Sequence, residues 1–245
     1  MNHSSLWVKC NKKALYFCLS VASIMLMEAV FAHGVAGKDA AYLQQNNGQA
    51  LSVFLYLGAK HMVTGYDHLL YLCGVIFFLN RLKDVALFVS LFALGHSITL
   101  LWGVLGGMHI NPFIVDAIIG LSVVYKALEN LDGLKPILRY PPDPKIAVFC
   151  FGLVHGLGLA TKLQDFSLSE DGLIANIISF NVGVEIGQLI ALICALFLIN
   201  SWRIQGGFYR HARSFNFVLI FLGFLLFHTI YIPMPWGDPI VMTQE

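Results

Sequence analysis

Charge is what this chain has least of. Asp, Glu, Lys and Arg together make up 12% of its 245 residues, where a soluble domain carries roughly 25%. That leaves too few solvating groups to cover a water-facing surface, and the 58% of hydrophobic residues gathers into long apolar runs. A soluble fold is excluded in favour of an all-α integral membrane protein. Basic residues are also few, and the net charge is +1 with no arginine-rich stripe. Nucleic-acid binding is excluded on that ground. Cysteine is sparse and isolated: Cys10, Cys18, Cys73, Cys150 and Cys194 show no CxxC spacing. They read as small buried hydrophobes rather than a disulfide frame or thiolate metal site. A phosphate-cradling GxxxxGK[ST] segment is absent from the sequence, so no nucleotide-driven step is read from it. Internal repeats and Pro/Gly-rich linkers are absent as well, which predicts one polytopic domain over 33–245.

What is present begins with a processing signal. Lys9, Lys12 and Lys13 precede the apolar run ALYFCLSVASIMLMEAVFA, and cleavage is expected after Ala32, making 1–32 a signal peptide. Six transmembrane helices are predicted near 62–80, 84–106, 112–131, 146–162, 173–200 and 215–232, each able to supply the roughly 20 residues a bilayer core requires. The first apolar run, 51–80, is too long for one span, and Gly58, Lys60 and Gly65 mark an interfacial or broken first half. With both mature termini outside, the inner segments hold Arg81, Lys83, Lys126, Lys135, Arg139, Lys145, Arg203, Arg210 and Arg213, against Lys38, Lys60 and Lys162 outside. Such asymmetry follows the positive-inside rule and predicts a bacterial inner-membrane protein with periplasmic N- and C-termini.

Polar groups within these spans are costly and must find partners in the bundle interior. His61, Asp67 and His68 fall at the outer end of the first span, His96 near the middle of the second, and His155 mid-membrane in the fourth. Asp116 lies in the outer third of the third span; Asn181, Glu185 and Gln188 lie in the fifth. Imidazoles and carboxylates without thiolates suit borderline divalent metals such as nickel, cobalt, zinc or iron(II). His61 and His68 are seven residues apart and share a face if the helix continues through Gly65. Asp67 is placed either to ligate or to accept the second ring N–H of a ligating histidine. Each has a plainer reading: Asp116 as the pin of its helix start after Pro112, Glu129 as the ion-pair partner of Lys126, Asn181 and Gln188 as polar glue on the face of Glu185. The glycines of GLVHGLG allow close packing or expose carbonyls beside His155.

HMVTGYDHLLYLCGVIFFL resembles the H-x5-D-H signature of the HupE/UreJ family of membrane proteins, and LFALGHSITL, VDAIIGLSVVYKALENL and FNVGVEIGQL are similar to its second branch. The resemblance covers nearly all of the mature chain and implies nickel or cobalt uptake. The first signature maps onto His61, Asp67 and His68. The second, FHGx[AV]HGxE, maps onto Gly152, Val154, His155 and Gly156, with Phe151 at its first histidine position and Gly158 at its closing glutamate. His96 and Glu185 are candidates to replace those two groups from other helices.

The leading expectation is therefore a secondary permease for a divalent transition-metal ion, nickel or cobalt, with zinc and iron open and nothing bound permanently. His61, Asp67 and His68 would take up the ion, with Asp116 near the entry; His96, His155 and Glu185 would pass it across the midplane. A lipid bilayer is the expected surrounding, and self-association is left open. The runner-up is an intramembrane zinc hydrolase using the histidines, Asp67 and Ser97, which needs ligands at one depth rather than strung along a path. A haem held by His96 and His155 is a third reading.

Overall fold

The computed structural model describes residues 48–108, 110–164, 171–204 and 206–231, so the expected signal peptide lies outside the described residues. Seven helices and no strand occur among the described residues: α1 (Leu51–Thr64), α2 (Tyr66–Ile76), α3 (Leu82–Leu105), α4 (Pro112–Asn130), α5 (Pro144–Gln164), α6 (Leu173–Ile204) and α7 (Phe208–Tyr231). Four of them, α3, α5, α6 and α7 as far as His228, are long and apolar enough to cross a membrane. Local signals set the ends. Asn111 caps α4 by accepting the Phe113 N–H at 3.0 Å, and Pro112 follows at the first helical position, where a missing N–H costs nothing. The cap is thus Asn111, and Asp116 is free for another partner.

The segment 62–80, expected as the first span, takes in the end of α1 and all of α2, because the chain breaks at Gly65 with φ −73° and ψ 94°; His61 and His68 therefore do not share one continuous helix. Those angles are open to any residue, so the glycine is needed for space. A Cβ there would lie 2.9 Å from the His61 carbonyl, 3.0 Å from His68 Nδ1 and 3.1 Å from Asp67 Oδ1.

Packing is built from three helix pairs zipped by glycine. Gly58 of α1 meets the Phe180 carbonyl of α6, while Gly183 and Gly187 meet the Leu55 and Ala59 carbonyls. Leu55 faces Gly183 and Ala59 faces Gly187, so α1 and α6 run parallel. In α3 and α5, Gly152 abuts the Phe92 carbonyl and Gly156 the His96 carbonyl, and a Cβ on Gly103 would stand 2.6 Å from the Ala160 methyl, again parallel. α4 and α7 run antiparallel, with Gly120 against Phe227 and Gly223 against Val124. Small residues let backbones approach where no water drives association. The short α2 fills the centre and touches α1, α3, α4, α6 and α7. Away from that centre, α6 turns Ile174, Ile178, Val182, Leu189 and Ile193 outward, a surface suited to lipid.

Candidate functional site

α2 carries His68 into the middle of the bundle, where it is 2% exposed. Around it stand three more imidazoles: His61 from the end of α1, His96 from α3 and His155 from α5. Ring centroids lie 5.2 Å from His68 for His61, 5.7 Å for His96 and 4.9 Å for His155. Phe92 and Tyr71 wall the cluster, 5.1 and 5.4 Å from the His155 ring. The Gly65 break brings His61 and His68 together by turning the chain between them. Gly156 brings α5 against α3 at His96, one residue from His155.

Sequence placement strung these histidines from the outer mouth to the midplane. They instead converge, because parallel pairing sets α3 and α5 in register and the break lowers α2 into the same layer. The histidines are thus gathered at one centre rather than spread along a path.

Hydrogen bonding sets the cluster's chemistry. Asp67 Oδ1 accepts from the His68 backbone N–H at 2.9 Å and from His68 Nδ1 at 2.9 Å. A carboxylate can only accept, so Nδ1 bears a proton, and in the neutral ring Nε2 keeps the lone pair. Ser122 Oγ of α4 lies 3.1 Å from His155 Nε2. Nine buried side-chain N or O atoms lack a hydrogen-bond partner among the described residues, and five are imidazole nitrogens of this cluster: His61 Nε2, His68 Nε2, His96 Nδ1, His96 Nε2 and His155 Nδ1. Each such atom costs about 1–3 kcal/mol, so five in one place is a poor way to fill a core and needs another reason.

The rings meet edge to face, at interplanar angles of 68–77° about His68. Among the described residues no three His, Cys, Asp or Glu groups are already arranged to hold a metal ion. Nitrogens on one tetrahedral ion stand about 3.4 Å apart, so binding here requires ring rotation.

The other expected residues divide. Asp116 pairs with Lys162 at 3.0 Å across α4 and α5 and so already holds a cation. Its Oδ1 also lies 3.7 Å from where a Cβ at Gly158 would stand, so a carboxylate from α4 occupies ground next to that position. Glu185 is exposed on the outside of α6 and does not reach the site. It was read as sharing the face of Asn181 and Gln188; those two are buried and bind α3, through Ser97 Oγ at 2.9 Å and the Val89 carbonyl at 3.2 Å. At 100° per residue, Glu185 falls 20° beyond Leu192, the last buried position on that side. Sequence reasoning did not single out Ser122, Lys162 or Tyr71. A lone serine in the apolar run of α4 was the available signal for Ser122.

Long apolar helices, outward aliphatic faces and a buried polar cluster define a polytopic helical membrane protein. A family model described as HupE / UreJ protein matches residues 37–233. The chain belongs to the HupE/UreJ family, which is generally associated with nickel and cobalt transport. No curated protein and no solved structure matches it.

Proposed function

We propose that this protein is a secondary permease that moves a divalent transition-metal ion, nickel or cobalt, across the inner membrane through the histidine cluster. The observation that carries the reading is the set of five unpartnered imidazole nitrogens on four helices. Neutral imidazoles favour nickel, cobalt, copper and zinc over magnesium or calcium, which prefer oxygen. A site that must be turned into place binds more weakly than a preformed cage, and release is as necessary to transport as capture. Asp116 offers a carboxylate at the approach and exchanges Lys162 for the ion. Six crossings with both ends outside agree with the pair directions: α1 and α6 would run inward, α3 and α5 outward, α4 and α7 oppositely.

Convergence of the histidines suits an intramembrane zinc hydrolase, with metal-bound water as nucleophile, equally well; the family match favours transport, and Ser97, part of the expected zinc set, already accepts from Asn181. The test is uptake of nickel, cobalt, zinc and iron(II), one at a time, into cells producing the protein or its His68→Ala form at equal protein level. Accumulation of one metal that vanishes in the variant is expected. No accumulation, from a purified protein that retains a metal tightly, would replace transport by hydrolysis.

A further inference from the structure

His155 is wholly buried on α5, and its Nε2 is 3.1 Å from Ser122 Oγ on α4. The same hydroxyl lies 2.6 Å from the Ile119 carbonyl one turn earlier in α4. A hydroxyl has one hydrogen, and a carbonyl oxygen can only accept. The hydrogen of Ser122 must therefore go to Ile119, since at 2.6 Å two bare lone pairs would repel. Toward His155, Ser122 is left only as an acceptor, and the atom that faces it has to be an N–H.

We propose that Ser122 is a positioning residue that locks His155 as the Nε2–H tautomer, leaving its Nδ1 lone pair for a transition-metal ion, a role that rests on the transport reading above. His155 Nδ1 is buried and without a hydrogen-bond partner among the described residues, as a nitrogen kept for a ligand would be. Ser122 and Asp67 then do matching work from different helices. Asp67 holds the proton of His68 on Nδ1 and exposes Nε2; Ser122 holds the proton of His155 on Nε2 and exposes Nδ1. The central histidine and one of its neighbours are thereby fixed with one lone pair each, before any ion arrives. Because Ser122 is neutral, it orients the ring without adding charge to the site. Nor does it compete for the cation as a second carboxylate would.

The tautomer can be read without metal. In protein labelled with nitrogen-15 histidine and purified in detergent, the His155 signals are assigned by their loss in His155→Ala. Wild type and Ser122→Thr, which keeps the hydroxyl, are expected to show the Nε2–H pattern; Ser122→Ala is expected to show a mixture or the Nδ1–H form. An Nδ1–H pattern in wild type, or the same pattern in wild type and Ser122→Ala, would overturn the proposal. Nickel and cobalt titrations then test the consequence. Ser122→Ala is expected to lower affinity about 10- to 100-fold in the wild-type background and to change nothing further in His155→Ala. An equal loss in both backgrounds would mean that the hydroxyl merely supports packing, and would also overturn it. Wild-type protein that shows the tautomer but binds none of the metals would instead sink the transport reading and leave the Ser122 lock standing.

Discussion

A neutral imidazole offers one proton and one lone pair, and for His68 the neighbouring carboxylate decides which nitrogen holds which. Asp67→Asn preserves size but supplies an amide that presents either donor or acceptor, so the ring is no longer oriented. Its expected effect is a fall of about 10- to 100-fold in metal affinity, measured by equilibrium dialysis of folded protein; unchanged affinity would show that His68 is oriented by other means. Glu185 provides the contrast. Because it faces outward from α6, Glu185→Gln should leave metal affinity within about twofold, as expected of sites that share no partner. A large loss would place Glu185 in the ion's path after all. The sequence made His61, Asp67, His68, His96 and His155 visible because ionisable groups are conspicuous against an apolar background. It misplaced Glu185 for the same reason. In lipid both faces of a helix are apolar, so orientation is judged from a few polar groups, and one lying just past the edge of the buried arc is indistinguishable from one just inside it.

The apolar runs lie along α3 to α7, although α7 starts at Phe208 where the run was expected from 215. The break between α1 and α2 was legible only as an option. Gly65 adopts angles available to other residues, and its necessity comes from His61, Asp67 and His68 crowding around it. Gly65→Ala should accordingly push on the Asp67–His68 pair and weaken metal binding while the fold survives. Gly156 is a different case. A side chain there runs into the His96 carbonyl and Thr99 Oγ1, both backed by helix, and Thr99 donates to the Leu153 carbonyl at 2.6 Å across the same seam. Overpacking of this kind costs about 1–3 kcal/mol. Gly156→Leu should therefore lower the thermal unfolding midpoint in detergent, whereas an unchanged midpoint would mean that α3 and α5 part easily.

For the molecule as a whole, hydropathy and charge gave the class and the order of helices but not which helices touch. Depth along a span depends on how neighbours are offset, so the meeting of four histidines in one layer could not be read from their positions in four separate runs. Orientation in the membrane is open to direct measurement. With the five native cysteines replaced by serine, Met108→Cys should react with a membrane-impermeant maleimide on intact spheroplasts, and Lys135→Cys only after permeabilisation. The reverse pattern would invert the molecule and the direction of entry. The parallel pairing of α1 with α6 has a consequence for biosynthesis. Ser179 donates to the Leu51 carbonyl from 128 residues away. The ribosome therefore releases the first helix long before its partner exists, and α1 must wait in the bilayer with its glycine seam uncovered. All four histidines of the cluster are made before α6, whose Phe180 ring stands 6.5 Å from that of His61. A nascent chain stopped after α5 would carry every imidazole of the cluster without the helix that walls one of them, so the cluster is completed only in the last third of translation.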